Sequence, residues 1–206
     1  MTSRNNRFTP AERKALHNKD FFYIKASATK KIDILLAGVR DEIKSEIKKK
    51  KLLFPEEADA SAGKIFKGEN YAGLPYMVLD FPKYFTKESV FSFRTMCWWG
   101  NFFSFTLHLQ GKALEERRNL MITNGNAFRK KNIFICINST PWNYQYNSTN
   151  YQLIDKFPEE KIKHLFSSKE FVKLSRKTGL NEYRNLPRFC RESFQLFLPA
   201  FSKQQI

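Results

Sequence analysis

Glycine is scarce in this chain and cysteine scarcer, with eight Gly and three Cys in 206 residues. The glycines are scattered and build no phosphate loop, so no dinucleotide or nucleoside-triphosphate cradle is expected. The three cysteines stand apart, which excludes both a disulfide framework and a structural zinc site built on cysteine pairs. No G-x-S-x-G, H-E-x-x-H or C-x-x-C motif occurs, so the common hydrolase, metalloprotease and thiol-redox signatures are missing. Histidine is rarer than glycine. His108 has no second His or Cys at ligand spacing, and neither a metal nor a cofactor is expected.

Long hydrophobic runs are missing as well. The longest uncharged stretches are Thr95–Gly111 and Asn132–Ile154. The first falls short of the ~20 residues a spanning helix needs, and both are rich in polar side chains. The beginning, MTSRNNRFTPAERK, has no apolar stretch of the secretory type. The expectation is a cytoplasmic protein without a membrane partner, in which the sequons at Asn138 and Asn147 carry no meaning.

Acidic residues are the minority charge. Lys and Arg number 36 against 20 Asp and Glu, a formal net charge of +16. The excess is +7 in residues 1–50, 0 in 51–100, +4 in 101–150 and +5 in 151–206. A basic surface of this size draws in phosphate polymers and other anions at long range. It also serves a solvated surface with no partner.

What is abundant is aromatic and apolar residue, at 16% and 42%, enough for a real core in a chain of this length. Thr9-Pro10-Ala11-Glu12 reads as a capping box with proline at the first helical position. Residues 29–50 carry Ile32, Leu35, Leu36, Val39, Ile43 and Ile47 at three- and four-residue spacing, the pattern of an amphipathic helix. It ends in Lys48, Lys49, Lys50 and Lys51, which suit the helix C-terminus or a phosphate contact. Residues 52–62 read as a loop. Strands are expected at 64–67 and 76–81, separated by a polar turn at Gly68-Glu69-Asn70-Tyr71, then at 90–99, 102–110 and 133–137. A helix at 112–123 closes on Asn124-Gly125 as a left-handed cap.

The C-terminal third reads as helices: one opening at Pro158, one from the box Ser167–Glu170 to Gly179, and one from Pro187 with Phe189, Phe194 and Phe197 turned inward. The expectation is a single α+β domain over 1–206: N-terminal helices 10–50, a mainly antiparallel sheet core 63–137, and C-terminal helices 158–198, with the hairpin 90–99/102–110 at its centre.

Gly100-Asn101 suits a two-residue hairpin loop. That register sets Trp99 opposite Phe102, Cys97 opposite Ser104, Thr95 opposite Thr106 and Phe93 opposite His108. Trp98, Met96, Arg94 and Val90 then share the apolar face with Phe103, Phe105, Leu107 and Leu109. Arg94 breaks that face and needs a carboxylate, from Asp80 or Glu69. The other face gathers Thr95, Ser104, Thr106 and His108 among aromatics. With Arg94, Glu69 and Tyr71 it is the candidate ligand-binding set. Such a face lines a ligand pocket or is simply half exposed.

Residues 138–152 carry no charge, and Trp142, Tyr144 and Tyr146 alternate with amides. On an extended chain the three rings share one face. Exposed, they would stack on unpaired bases, with Lys48, Lys49, Lys50, Arg129, Lys130 and Lys131 supplying charge; turned inward, they are core. They would also suit a homodimer interface.

The stretch GENYAGLPYMVLDFPKYFTKESVFSFRTMCWWGNFFSFTLHLQG, residues 68–111, resembles the central block of an uncharacterised bacterial family of hypothetical proteins. The resemblance implies a small stand-alone cytoplasmic protein and brings no activity with it. The function expected from the residues is non-enzymatic binding of an anionic partner, a nucleic acid or a small anionic ligand. The alternative is a small hydrolase or transferase using His108 with Asp80 or Glu69.

Overall fold

The computed structural model describes residues 7–52, 58 and 61–200; most of the expected 52–62 loop lies outside them. The capping box forms as the sequence dictates. Glu12 N–H donates to Thr9 Oγ1 and Thr9 N–H to Glu12 Oε2, opening α1 (Pro10–His17). Asn18 caps the next helix by accepting from Phe21 N–H. That helix, α2 (Lys19–Lys50), begins ten residues earlier than the apolar period suggested. Its first turns carry Phe21, Phe22, Tyr23 and Ile24, all exposed, so no buried stripe marks them. Its second half buries Leu36, Val39 and Ile43.

The sheet follows: β1 (Ile65–Tyr71), β2 (Leu74–Phe85), β3 (Ser89–Trp98) and β4 (Phe102–Gly111) are a continuous antiparallel meander. Gly68 to Tyr71 belong to β1, and the reversal is made by Ala72-Gly73 instead. A cis Phe81–Pro82 bond lies where the β2–β3 register shifts between Asp80 and Lys83. Helix α3 (Lys112–Thr123) starts directly after β4. Gly111, at φ +58, is required at that corner, because a Cβ there would come within 1.8 Å of the Glu88 carbonyl oxygen. Asn124 and Gly125 do not form a left-handed cap; Asn124 has φ −95 and Gly125 opens a short 3₁₀ turn.

Short strands β5 (Phe134–Cys136) and β6 (Tyr151–Leu153) are joined by the irregular segment 137–150. Helix α4 (Glu159–Ser168) leads into β7 (Phe171–Gly179), and α5 (Leu186–Phe197) closes the described chain. The Ser167–Glu170 box therefore starts no helix. Residues 171–179 alternate between two buried faces, Val172 and Leu174 towards the helices and Lys173 and Ser175 away from them. A lysine on a buried strand face disguises that alternation.

The result is an α+β fold whose sheet has the order β1-β2-β3-β4-β7-β5-β6, antiparallel throughout. Helices α2, α3 and α5 pack on one face. There Phe93 stacks on Phe105 at 5.7 Å, and Phe194 and Phe197 of α5 close over them. Truncating Phe93 would cost about 3–5 kcal/mol. The opposite face is largely covered by segment 137–150. Among the described residues no helix is long and apolar enough to cross a membrane.

Candidate functional site

The β3–β4 register differs by one residue from the expected one. Trp98 pairs with Phe102, Cys97 with Phe103, Thr95 with Phe105 and Arg94 with Thr106. The loop has three residues, Trp99-Gly100-Asn101, with Gly100 at φ +70 and Asn101 N–H donating to the Trp98 carbonyl at 3.1 Å. Because side chains alternate along a strand, one residue of slip exchanges the faces of β3. Thr95 and Cys97 go to the helix face, where Thr95 meets Cys190. Arg94 leaves the apolar face and joins Ser104, Thr106 and His108.

On that second face the cross-strand rows run Asp80–Arg94–Thr106–Ser175 and Lys83–Ser92–His108–Lys173. Asp80 is the carboxylate Arg94 requires. Arg94 Nε and Nη2 donate to its two oxygens at 2.8 Å each, and Ser92 Oγ donates to Oδ1 at 3.1 Å. Burial opposes the Arg94 charge, but the hydrogen bonds and charge of Asp80 outweigh it and raise its pKa. Thr106 and Ser175 hydroxyls meet at 2.6 Å.

Segment 137–150 seals most of this face. Arg94 also donates to the Tyr144 hydroxyl. Tyr71 Oη accepts from Tyr144 N–H and donates to Gln145 Oε1, both at 2.7 Å. Tyr146 Oη meets Ser175 Oγ. Lys173, fully buried, donates to the carbonyls of Pro141 at 2.5 Å and Asn143 at 3.1 Å. Its ammonium lies 4.2 Å from the Tyr144 ring centre. Burial pulls the Lys173 pKa down to about 7, and the Arg94 charge acts the same way. His108 lies edge-on to Trp142 and Phe171. Burial, with the charges of Lys173 and Arg94, lowers its pKa to about 3, so the ring is neutral at pH 7.

The expected sites are thereby redistributed. Glu69 lies on exposed β1, bonded to Lys25 of α2, and does not join Asp80 and His108 as an acid–base set. Tyr144 and Tyr146 are core-facing; of the three rings only Trp142, 53% exposed, offers a face to solvent. Lys48, Lys49 and Lys50 are exposed at the end of α2. Arg129 turns in to the Phe157 carbonyl, and Lys130 N–H binds Asp155; Lys131 is exposed on the same turn. Among the described residues no three His, Cys, Asp or Glu side chains gather to hold a metal.

One part of the face stays open. Beyond the edge of the segment lies a groove of about 470 Å³, with Asp80 and Arg94 at its floor, Phe66, Tyr76, Val78 and Phe85 along its walls and Lys83 at its rim. The Lys64 and Lys83 ammonium groups each lie 5.3 Å from the centre of the Phe66 ring. Among the described residues neither joins an ion pair, while Lys67, which also lines the groove, pairs with Asp33. No family model matches the chain. Comparison with curated proteins and with solved structures finds no match either. Phe66 and Lys83 carry no sequence signal of their own; only the pairing of β1 with β2 brings them to one groove.

Proposed function

We propose that the protein is a non-enzymatic binding protein for a small anionic molecule with a flat apolar body, held in the groove over Asp80–Arg94. The observation that carries this reading is Lys83 lining an aromatic-walled groove beside Phe66, whose ring Lys64 also approaches from outside the groove. Its volume falls within the ~300–1,000 Å³ of small-molecule sites. Asp80 already neutralises Arg94, so the lysines set the sign of the groove and Arg94 orients what enters. Sealing of His108 beneath Trp142 supports binding over acid–base turnover.

The test is titration calorimetry with aromatic carboxylates, nucleoside monophosphates and their uncharged analogues. The anions should bind and the uncharged forms should not. Lys83→Glu, at the rim, should weaken binding about tenfold or more with the melting temperature unchanged. Failure of every anion, or indifference to Lys83→Glu, would overturn the reading. A mixed-sequence oligonucleotide is the control. Affinity that survives Lys83→Glu and falls by about one unit of log slope per phosphate contact as salt rises would assign the anion preference to the general basic surface, against the groove.

A further inference from the structure

A second groove lies on the other side of the sheet, where α2 crosses the β3–β4 turn. Its volume is about 560 Å³, and it is lined by Ala28, Ile32 and Leu35 of α2, by Trp99 and Phe103, and by Leu180 and Tyr183 beyond β7. These walls are almost wholly apolar and shared by three separate parts of the chain. Monomeric proteins rarely leave such a surface open without a use for it.

The one charged residue that lines it is a cation. This residue, Lys31, has no ion pair among the described residues. Arg184 lies with its guanidinium carbon 5.6 Å from the Tyr183 ring centre and donates from Nε to the Tyr183 hydroxyl at 3.1 Å. The carboxylate of the neighbouring Glu182 lines a different groove, where Asn185 donates to it. An apolar trough with two cations at its edge complements a molecule with an apolar chain or ring system and one anionic head.

We propose that this groove binds amphipathic acids, the apolar body lying between α2 and Trp99 and the acid group meeting Lys31 and Arg184. The site is separate from the groove over Asp80–Arg94, and either can fail without the other. Its selectivity rests on the head group, since the apolar walls accept any body of suitable length.

The experiment uses the full chain and the fluorescent probe 1-anilinonaphthalene-8-sulfonate, displaced by decanoate, decanol or decyltrimethylammonium. Decanoate should displace the probe at concentrations at least tenfold below those of the other two. Lys31→Glu should remove most of that advantage. Ala28→Trp, which fills the groove from α2, should abolish displacement, and Tyr183→Ala, which removes a wall, should weaken it severalfold; each is checked by its thermal melt. The proposal is overturned if decanol or the quaternary amine competes as well as decanoate, or if displacement is unchanged in both filled and opened variants. It is also overturned if the chain sediments as a dimer that Ala28→Trp dissociates while decanoate displaces nothing, for the occupant is then a second copy.

Discussion

At the scale of single residues, the polar face of the sheet depends on charges that are either matched or suppressed. Asp80 and Arg94 are matched through two hydrogen bonds. Asp80→Ala should therefore cost about 1.5–3 kcal/mol in a denaturant melt, chiefly by leaving a half-buried guanidinium without its carboxylate and with only the Tyr144 hydroxyl as partner. Adding Arg94→Met to that variant should restore most of the loss, because the burden is the unpaired charge. A double variant no more stable than Asp80→Ala would contradict this.

His108 is suppressed. Unfolded, its ring takes a proton near pH 6.5; folded, it does so only near about 3. Between those values the unfolded chain binds more protons at this position, so the stability that His108 governs is full above pH 6.5 and falls as the pH drops. His108→Phe, placed among Trp142 and Phe171, should flatten the urea midpoint between pH 6.5 and 4 relative to the parent chain. Parallel profiles would show that other groups set the acid sensitivity.

Among the elements, β7 does most to explain both the fold and the closed site. It completes β4 on one side, receives β5 on the other, and sends Lys173 up to hold two carbonyls of the cover. Segment 137–150 makes few backbone bonds of its own, so it needs these donors. Lys173→Met should leave both carbonyls without that donor, at about 1–3 kcal/mol, and expose the cover locally. Limited proteolysis should cut within 137–150 several times faster in this variant, while the remaining sheet amides keep their exchange protection. Equal cleavage rates would mean that the contacts of Tyr71, Arg94, Lys169 and Tyr146 hold the segment without Lys173.

Much of this element layer was legible in the sequence, and its gaps have physical causes. The capping box, α3, the opening of α5 and the inward Phe194 and Phe197 followed from local pattern. β7 did not, because Lys173 and Lys177 on a strand imitate the exposed face of a helix. The hairpin was legible but its register was not: Gly100-Asn101 suits a two-residue turn as well as a three-residue one, and the choice decides the face of every β3 side chain. That Arg94 needs a carboxylate was legible, with Asp80 and Glu69 both open; the pairing of β2 with β3 supplies Asp80. The meeting of Phe66 with Lys83 at the groove was not, since the two come together only through strand pairing.

For the whole molecule, the order of the sheet sets the order in which it can be built. β4 gains its second neighbour only from residues 171–179, so a nascent chain that has released everything through α4 still presents the β4 backbone unpaired. Such an edge is a template for the wrong partner, and distant pairings of this kind slow folding. A chain truncated after residue 168 should aggregate when expressed alone, whereas one truncated after 200 should remain in solution, by light scattering at equal concentration. Equal solubility would show that the meander closes without β7. The interval between the translation of β4 and that of β7 is therefore the one in which this protein is most exposed to misassembly, and a synonymous change that delays the ribosome before β7 would lengthen it.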